Sequence, residues 1–99
     1  MKIIIHRVNT IKKLEILDPT YGVEIDIRSN SGKLILQHDP FKNGDLFNKW
    51  LKSYKHKTII LNIKEEGLEE SIIESLKNYK VDDYFFLDQS FPFLIKKKR

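Results

Sequence analysis

The chain of 99 residues contains no cysteine, which excludes a disulfide scaffold and any thiolate metal site. Its apolar stretches are short. The run Ile3-Ile4-Ile5 stops at His6-Arg7, too soon for a signal peptide, and nothing approaches the ~20 apolar residues of a membrane span. These features read as a cytoplasmic protein without a membrane span. Glycine and proline are also scarce, at four and three residues, so no low-complexity linker separates domains. A one-signed surface is missing as well. Of the 18 basic residues, four are Lys96, Lys97, Lys98 and Arg99; without them 14 basic residues face 14 acidic ones. The formal charge of +4 thus belongs to a terminal run, and the neutral body argues against nucleic acid as a partner. The reading is one domain over residues 1–95 followed by a basic tail over 96–99.

The remaining pattern is that of an α/β protein. Residues 2–5 are a β-branched run and predict a buried strand. Ile11, Leu14 and Leu17 recur every third position between Asn9 or Thr10 as N-cap and the stop Asp18-Pro19, which predicts a short helix. Residues 23–28 alternate apolar and polar, Ser29 to Gly32 form a turn cluster, and residues 33–37 complete a hairpin. Asp45 is placed to cap a helix bearing Leu46, Phe47, Trp50, Leu51 and Tyr54 on one face. A strand over 58–63, a helix over 68–79 and an aromatic strand over 84–87 follow. Strands alternating with helices predict βαβ units and a parallel sheet.

Chemistry-bearing residues gather at the carboxyl ends of these strands, where parallel α/β folds build their sites. Glu24 and Asp26, two apart on one strand, share a face opposite Val23, Ile25 and Ile27. Paired carboxylates suit a hard divalent ion, Mg²⁺ or Ca²⁺. Strict alternation equally permits the wet face of an edge strand made of Glu24, Asp26 and Arg28. Were they a metal pair, their removal would abolish ion binding and leave the fold intact or steadier, because like charges repel. Asn62 and Lys64 repeat the geometry on a later strand, and Asp88 and Ser90 end the last one. His6 and His38 each end a strand beside a charged neighbour, and two imidazoles around one oxyanion suit general acid and base catalysis. His56 reads as a structural or surface residue. Lys64 is either a phosphate contact or the first solvated residue of Lys64-Glu65-Glu66.

Taken together, His6-Arg7, Gly22-Val23-Glu24-Ile25-Asp26, Gly32-Lys33-Leu34 leading to His38-Asp39-Pro40, and Lys64 make the chain resemble the glycerophosphodiester phosphodiesterase family, within the phosphatidylinositol phospholipase C-like phosphodiesterases. The resemblance implies a (β/α)8 TIM-type barrel, of which this chain would be the first half, with a hairpin excursion after the second strand. It implies metal-dependent hydrolysis of a small phosphodiester, with His6 and His38 as general acid and base. A divalent ion, Mg or Ca, would lie at Glu24, Asp26 and the position of Asn62, with Arg7 and Lys64 on the phosphate. In the family mechanism a neighbouring glycerol hydroxyl attacks phosphorus, and water opens the cyclic phosphate. Val8 stands where the family has glycine, and Asn62 where it has a third acidic ligand. These departures, and the missing half barrel, suit the alternative of an inactive remnant that only binds a phosphorylated ligand. Open edges on the first and fourth strands further predict a homo-oligomer.

Overall fold

The computed structural model describes residues 3–87 and the strand at 94–97. Two-residue β1 (Ile4–Ile5) leads to α1 (Ile11–Ile16), then to the long β2 (Gly22–Asn30) and its hairpin partner β3 (Lys33–Leu36). A short β4 (Asp45–Leu46) runs into α2 (Phe47–Lys52), followed by β5 (Ile59–Ile63), α3 (Glu69–Asn78), β6 (Tyr84–Leu87) and β7 (Leu94–Lys97). The result is a small mixed α/β domain. Its parallel part has β1 and β5 on either side of β2, with β6 beyond β5. Each of these parallel neighbours is separated in sequence by a helix, as parallel pairing requires.

Three antiparallel pairs extend the sheet: β2 with β3, β3 with β4, and β6 with β7. The first is the hairpin read from the Ser29 to Gly32 turn, where Ser31 and Gly32 take positive φ. β7 was not anticipated. Lys96 and Lys97, assigned to a basic tail, stand in this strand, which covers the edge of β6 that the sequence reading left open.

Alternation along β2 divides the sheet into two faces. Val23, Ile25 and Ile27 are fully buried and pack in one core with Leu14 of α1, Trp50 and Leu51 of α2, and Ile72 and Leu76 of α3. Register carries the same face across the sheet, pairing Val23 with Ile59 and Tyr84, and Ile25 with Leu61 and Phe86. All three helices therefore contribute to the core on this one face. The opposite face carries Glu24, Asp26 and Arg28 on β2, with Asn62 opposite Asp26 on β5. Gly22 lets the strands approach at the base, since a β carbon there would lie 2.5 Å from Ile4 Cδ1 and 2.8 Å from Thr58 Cγ2.

The structure chooses between the two cap candidates of the first helix and changes the cap of the second. Helix α1 is capped by Thr10, whose hydroxyl accepts from Lys13 N at 3.1 Å, which leaves Asn9 free for another role. Asp45 does not cap α2, which begins at Phe47 without a side-chain cap. Instead Asp45 Oδ2 accepts from the free Ile11 N–H at the start of α1 at 2.8 Å, joining two segments 34 residues apart.

Candidate phosphate-binding cluster

The site lies along one edge of β2, which two different strands share. β1 pairs at Gly22 and Val23, and β3 pairs from Ile27 onward. Between them the edge at Glu24 to Asp26 is completed by loops: Val8 N donates to Glu24 O at 2.9 Å, Asn9 Oδ1 accepts from Asp26 N at 2.9 Å, and Gln37 N donates to Asp26 O at 3.0 Å. The chain leaving β1 must bulge to reach this pairing. It does so at Arg7, whose φ of 53° is left-handed. Glycine is therefore not needed at residue 8. Val8 is fully buried, and its carbonyl accepts from Trp50 Nε1 at 3.0 Å.

That bulge brings the predicted residues together. His6 Nδ1 lies 2.8 Å from Glu24 Oε1. The Arg7 guanidinium approaches His38 Nε2 at 3.1 Å, and His38 Nδ1 lies 2.9 Å from Asp39 Oδ1. Since Arg7 only donates, His38 in this arrangement is the neutral tautomer, with its proton on Nδ1 toward Asp39 and a lone pair at Nε2. The hydrogen bond from His38, and then Lys42 at 3.3 Å, hold the Asp39 carboxyl below its usual value of 3.8.

Asp26 is the hub. Its side chain is 3% exposed, against 17% for Glu24. Asn9 Nδ2 donates to Oδ2 at 3.0 Å, Asn62 Nδ2 donates to Oδ1 at 3.2 Å, and Lys64 Nζ stands 3.8 Å from Oδ1. The half-buried Lys64 is thus paired with Asp26 rather than solvated, and Glu65 accepts from Ser29 N and Oγ on β2.

Among the described residues no group of three or more His, Asp or Glu side chains is placed to hold a metal ion. The remaining donor set is two carboxylates on one strand and an amide on the next. Asn62 Oδ1 is buried and has no hydrogen-bond partner, which fits an oxygen-only set of Glu24, Asp26 and Asn62 for a hard cation. Such an ion would share Asp26 with Lys64, so its binding would be weak.

Three contributors escaped the sequence reading. Asn9 was read as one of two candidate caps, yet it grips Asp26 through both ends of its amide. Arg28 was read as a wet-face residue, yet its guanidinium donates to Gln37 O at 3.2 Å and to His38 O at 2.8 Å, fixing the loop that carries His38. Its i, i+2, i+4 relation to Glu24 and Asp26 was the available signal. Lys13 Nζ reaches back to the carbonyls of His6 and Arg7. His56 is a buried structural residue, with Nε2 3.1 Å from Leu17 O and its ring against Tyr54. Asp88 and Ser90 lie outside the described residues. No helix among the described residues is long and apolar enough to cross a membrane.

Comparison of the chain with protein-family models, with curated proteins and with solved structures gives no match.

Proposed function

We propose that this chain is a phosphodiester-binding domain of the glycerophosphodiester phosphodiesterase type, with the architecture of the first half of a (β/α)8 barrel. One observation carries the reading. His6, Arg7, Glu24, Asp26, His38 and Lys64 come from four separate segments and meet in three direct pairs, His6 with Glu24, Arg7 with His38 and Lys64 with Asp26, around the polar face of β2. The half-barrel reading draws support from sheet order, since β1, β2, β5 and β6 lie side by side in chain order. It also draws support from the helices, which share one face, as on the outside of a barrel.

The chemistry follows from the pairings. An anionic phosphate competes for the Arg7 guanidinium and draws it from His38 Nε2, with Lys64 as a second cation. His38 Nε2 is then free to accept the proton of an attacking hydroxyl, while Asp39 keeps the other ring proton in place. The hydroxyl oxygen bonds to phosphorus as the bond to the leaving alcohol breaks, and protonated His6 returns a proton to that alcohol. Glu24 orients His6 for this transfer. A divalent ion held by Glu24, Asp26 and Asn62 would, when bound, supply positive charge against the developing charge on phosphate.

A second reading has its own support. Both oxygens of Asp26 are engaged by amides and Lys64, and Asn62 is neutral, which suits a domain that binds a phosphorylated ligand without turnover. Hydrolysis of a generic glycerophosphodiester with Mg²⁺ or Ca²⁺, beside a chelator and a His38→Ala control, separates the two. Turnover lost in both controls supports the enzyme. A folded protein that binds the diester but never cleaves it supports the second reading.

A further inference from the structure

We infer that Lys13 is a positioning residue of this cluster, acting through Arg7 and His6; the inference rests on the reading of the cluster as a phosphate site. In an extended strand successive carbonyls point to opposite sides. The left-handed φ of 53° at Arg7 interrupts that alternation, and the carbonyls of His6 and Arg7 both reach one ammonium, Lys13 Nζ, at 3.2 and 3.3 Å. A left-handed arginine is unfavourable unless its surroundings hold it; these two contacts hold its carbonyl side, beside the pairing of Val8 N with Glu24 O.

The arm that makes them is itself fixed. Lys13 N donates to the capping hydroxyl of Thr10, Leu14 beside it is fully buried, and Ile11 N is bound to Asp45. From this turn the two side chains diverge, His6 to Glu24 and Arg7 to His38. Lys13 therefore holds the acid and the phosphate cation in one arrangement before any ligand arrives, and it need not touch the ligand to do so. An ammonium suits the task, because its three rotatable donors serve both carbonyls at once.

Two variants test the inference. Lys13→Met keeps the aliphatic stem and removes the donors; Lys13→Arg keeps charge and donors. Inorganic phosphate affinity is measured by calorimetry, the Arg7 contact through the ¹⁵N signal of His38 Nε2, and the fold by urea unfolding. The expected result is a loss of about tenfold in phosphate affinity for Lys13→Met. Its His38 Nε2 signal moves to that of a ring lacking the Arg7 donor, with the urea midpoint unchanged. Lys13→Arg restores both signal and affinity. Unchanged affinity and signal in Lys13→Met would overturn the inference, as would loss matched by a falling urea midpoint, or failure of Lys13→Arg to restore. If the parent protein binds no phosphate, the reading of the site fails. The His38 signal alone then supports or overturns the role of Lys13.

Discussion

The two faces of β2 use the same backbone for opposite ends. On one, Val23, Ile25 and Ile27 are fully buried in an apolar core to which three helices contribute. On the other, Glu24, Asp26 and Arg28 each reach a different segment: His6 after β1, Asn9 and Asn62, and the carbonyls of the His38 loop. The contrast shows that burial and chemistry are not alternatives here. Asp26 is as buried as the core but is held entirely by polar partners. It anchors the polar face as Ile25 anchors the apolar one.

Truncation should break the apolar face hardest. Ile25→Ala is expected to cost about 2–5 kcal/mol of stability in urea unfolding, because a fully buried side chain leaves a cavity among three helices. Asp26→Ala should follow, at about 1–3 kcal/mol, since it strands the amides of Asn9 and Asn62 and the ammonium of Lys64. This reverses the expectation, drawn from charge repulsion alone, that removing a carboxylate would leave the fold intact or steadier. Glu24→Gln sharpens the comparison. Its carboxylate meets the exposed His6, so stability should stay within about 0.5 kcal/mol while divalent-ion affinity in calorimetry falls. Equal costs for Asp26→Ala and Glu24→Gln would erase the distinction between hub and rim.

The succession of the main strands and helices and the hairpin were legible, β4 and β7 apart, because hydrophobic periodicity and the Ser29 to Gly32 turn are local signals. Glu24 and Asp26 were legible because residues two apart on a strand share a face, and His6, His38 and Lys64 because each follows a strand. What could not be read depends on distant pairing. Asp45 looks like a cap for the helix beside it, but the N–H it satisfies belongs to Ile11. Asn9 looks like a cap for the next helix, but Thr10 takes that role and the bulge at Arg7 turns Asn9 toward Asp26. Lys96 and Lys97 look like a solvated run, and only the antiparallel partner β6 makes a strand of them.

The smallest expected effect concerns pH. The folded state lowers the Asp39 carboxyl below 3.8 through His38 and Lys42. A depressed folded value contributes stability that is present above the unfolded value and is lost as pH falls through the folded one. Carbon NMR should therefore place the Asp39 midpoint below 3.8, and His38→Ala should move it up. A midpoint that ignores His38 would mean that the pair is not formed in solution.

The central claim is that the polar face of β2 gathers a phosphodiester site, and a ligand titration followed by NMR tests it most directly. Glycerophosphoethanolamine is added while side-chain signals of Arg7, His6, His38 and Lys64 are tracked. The account predicts that these four move together, and that His38 Nε2 loses the Arg7 contact as the diester binds. A cleft of about 260 Å³ lined by Tyr54, Lys55, Lys57, Tyr79, Lys80 and Asp83 lies beside the opposite ends of β5 and β6. Shifts confined to that cleft, or no shift in the four residues at saturating diester, would contradict the account.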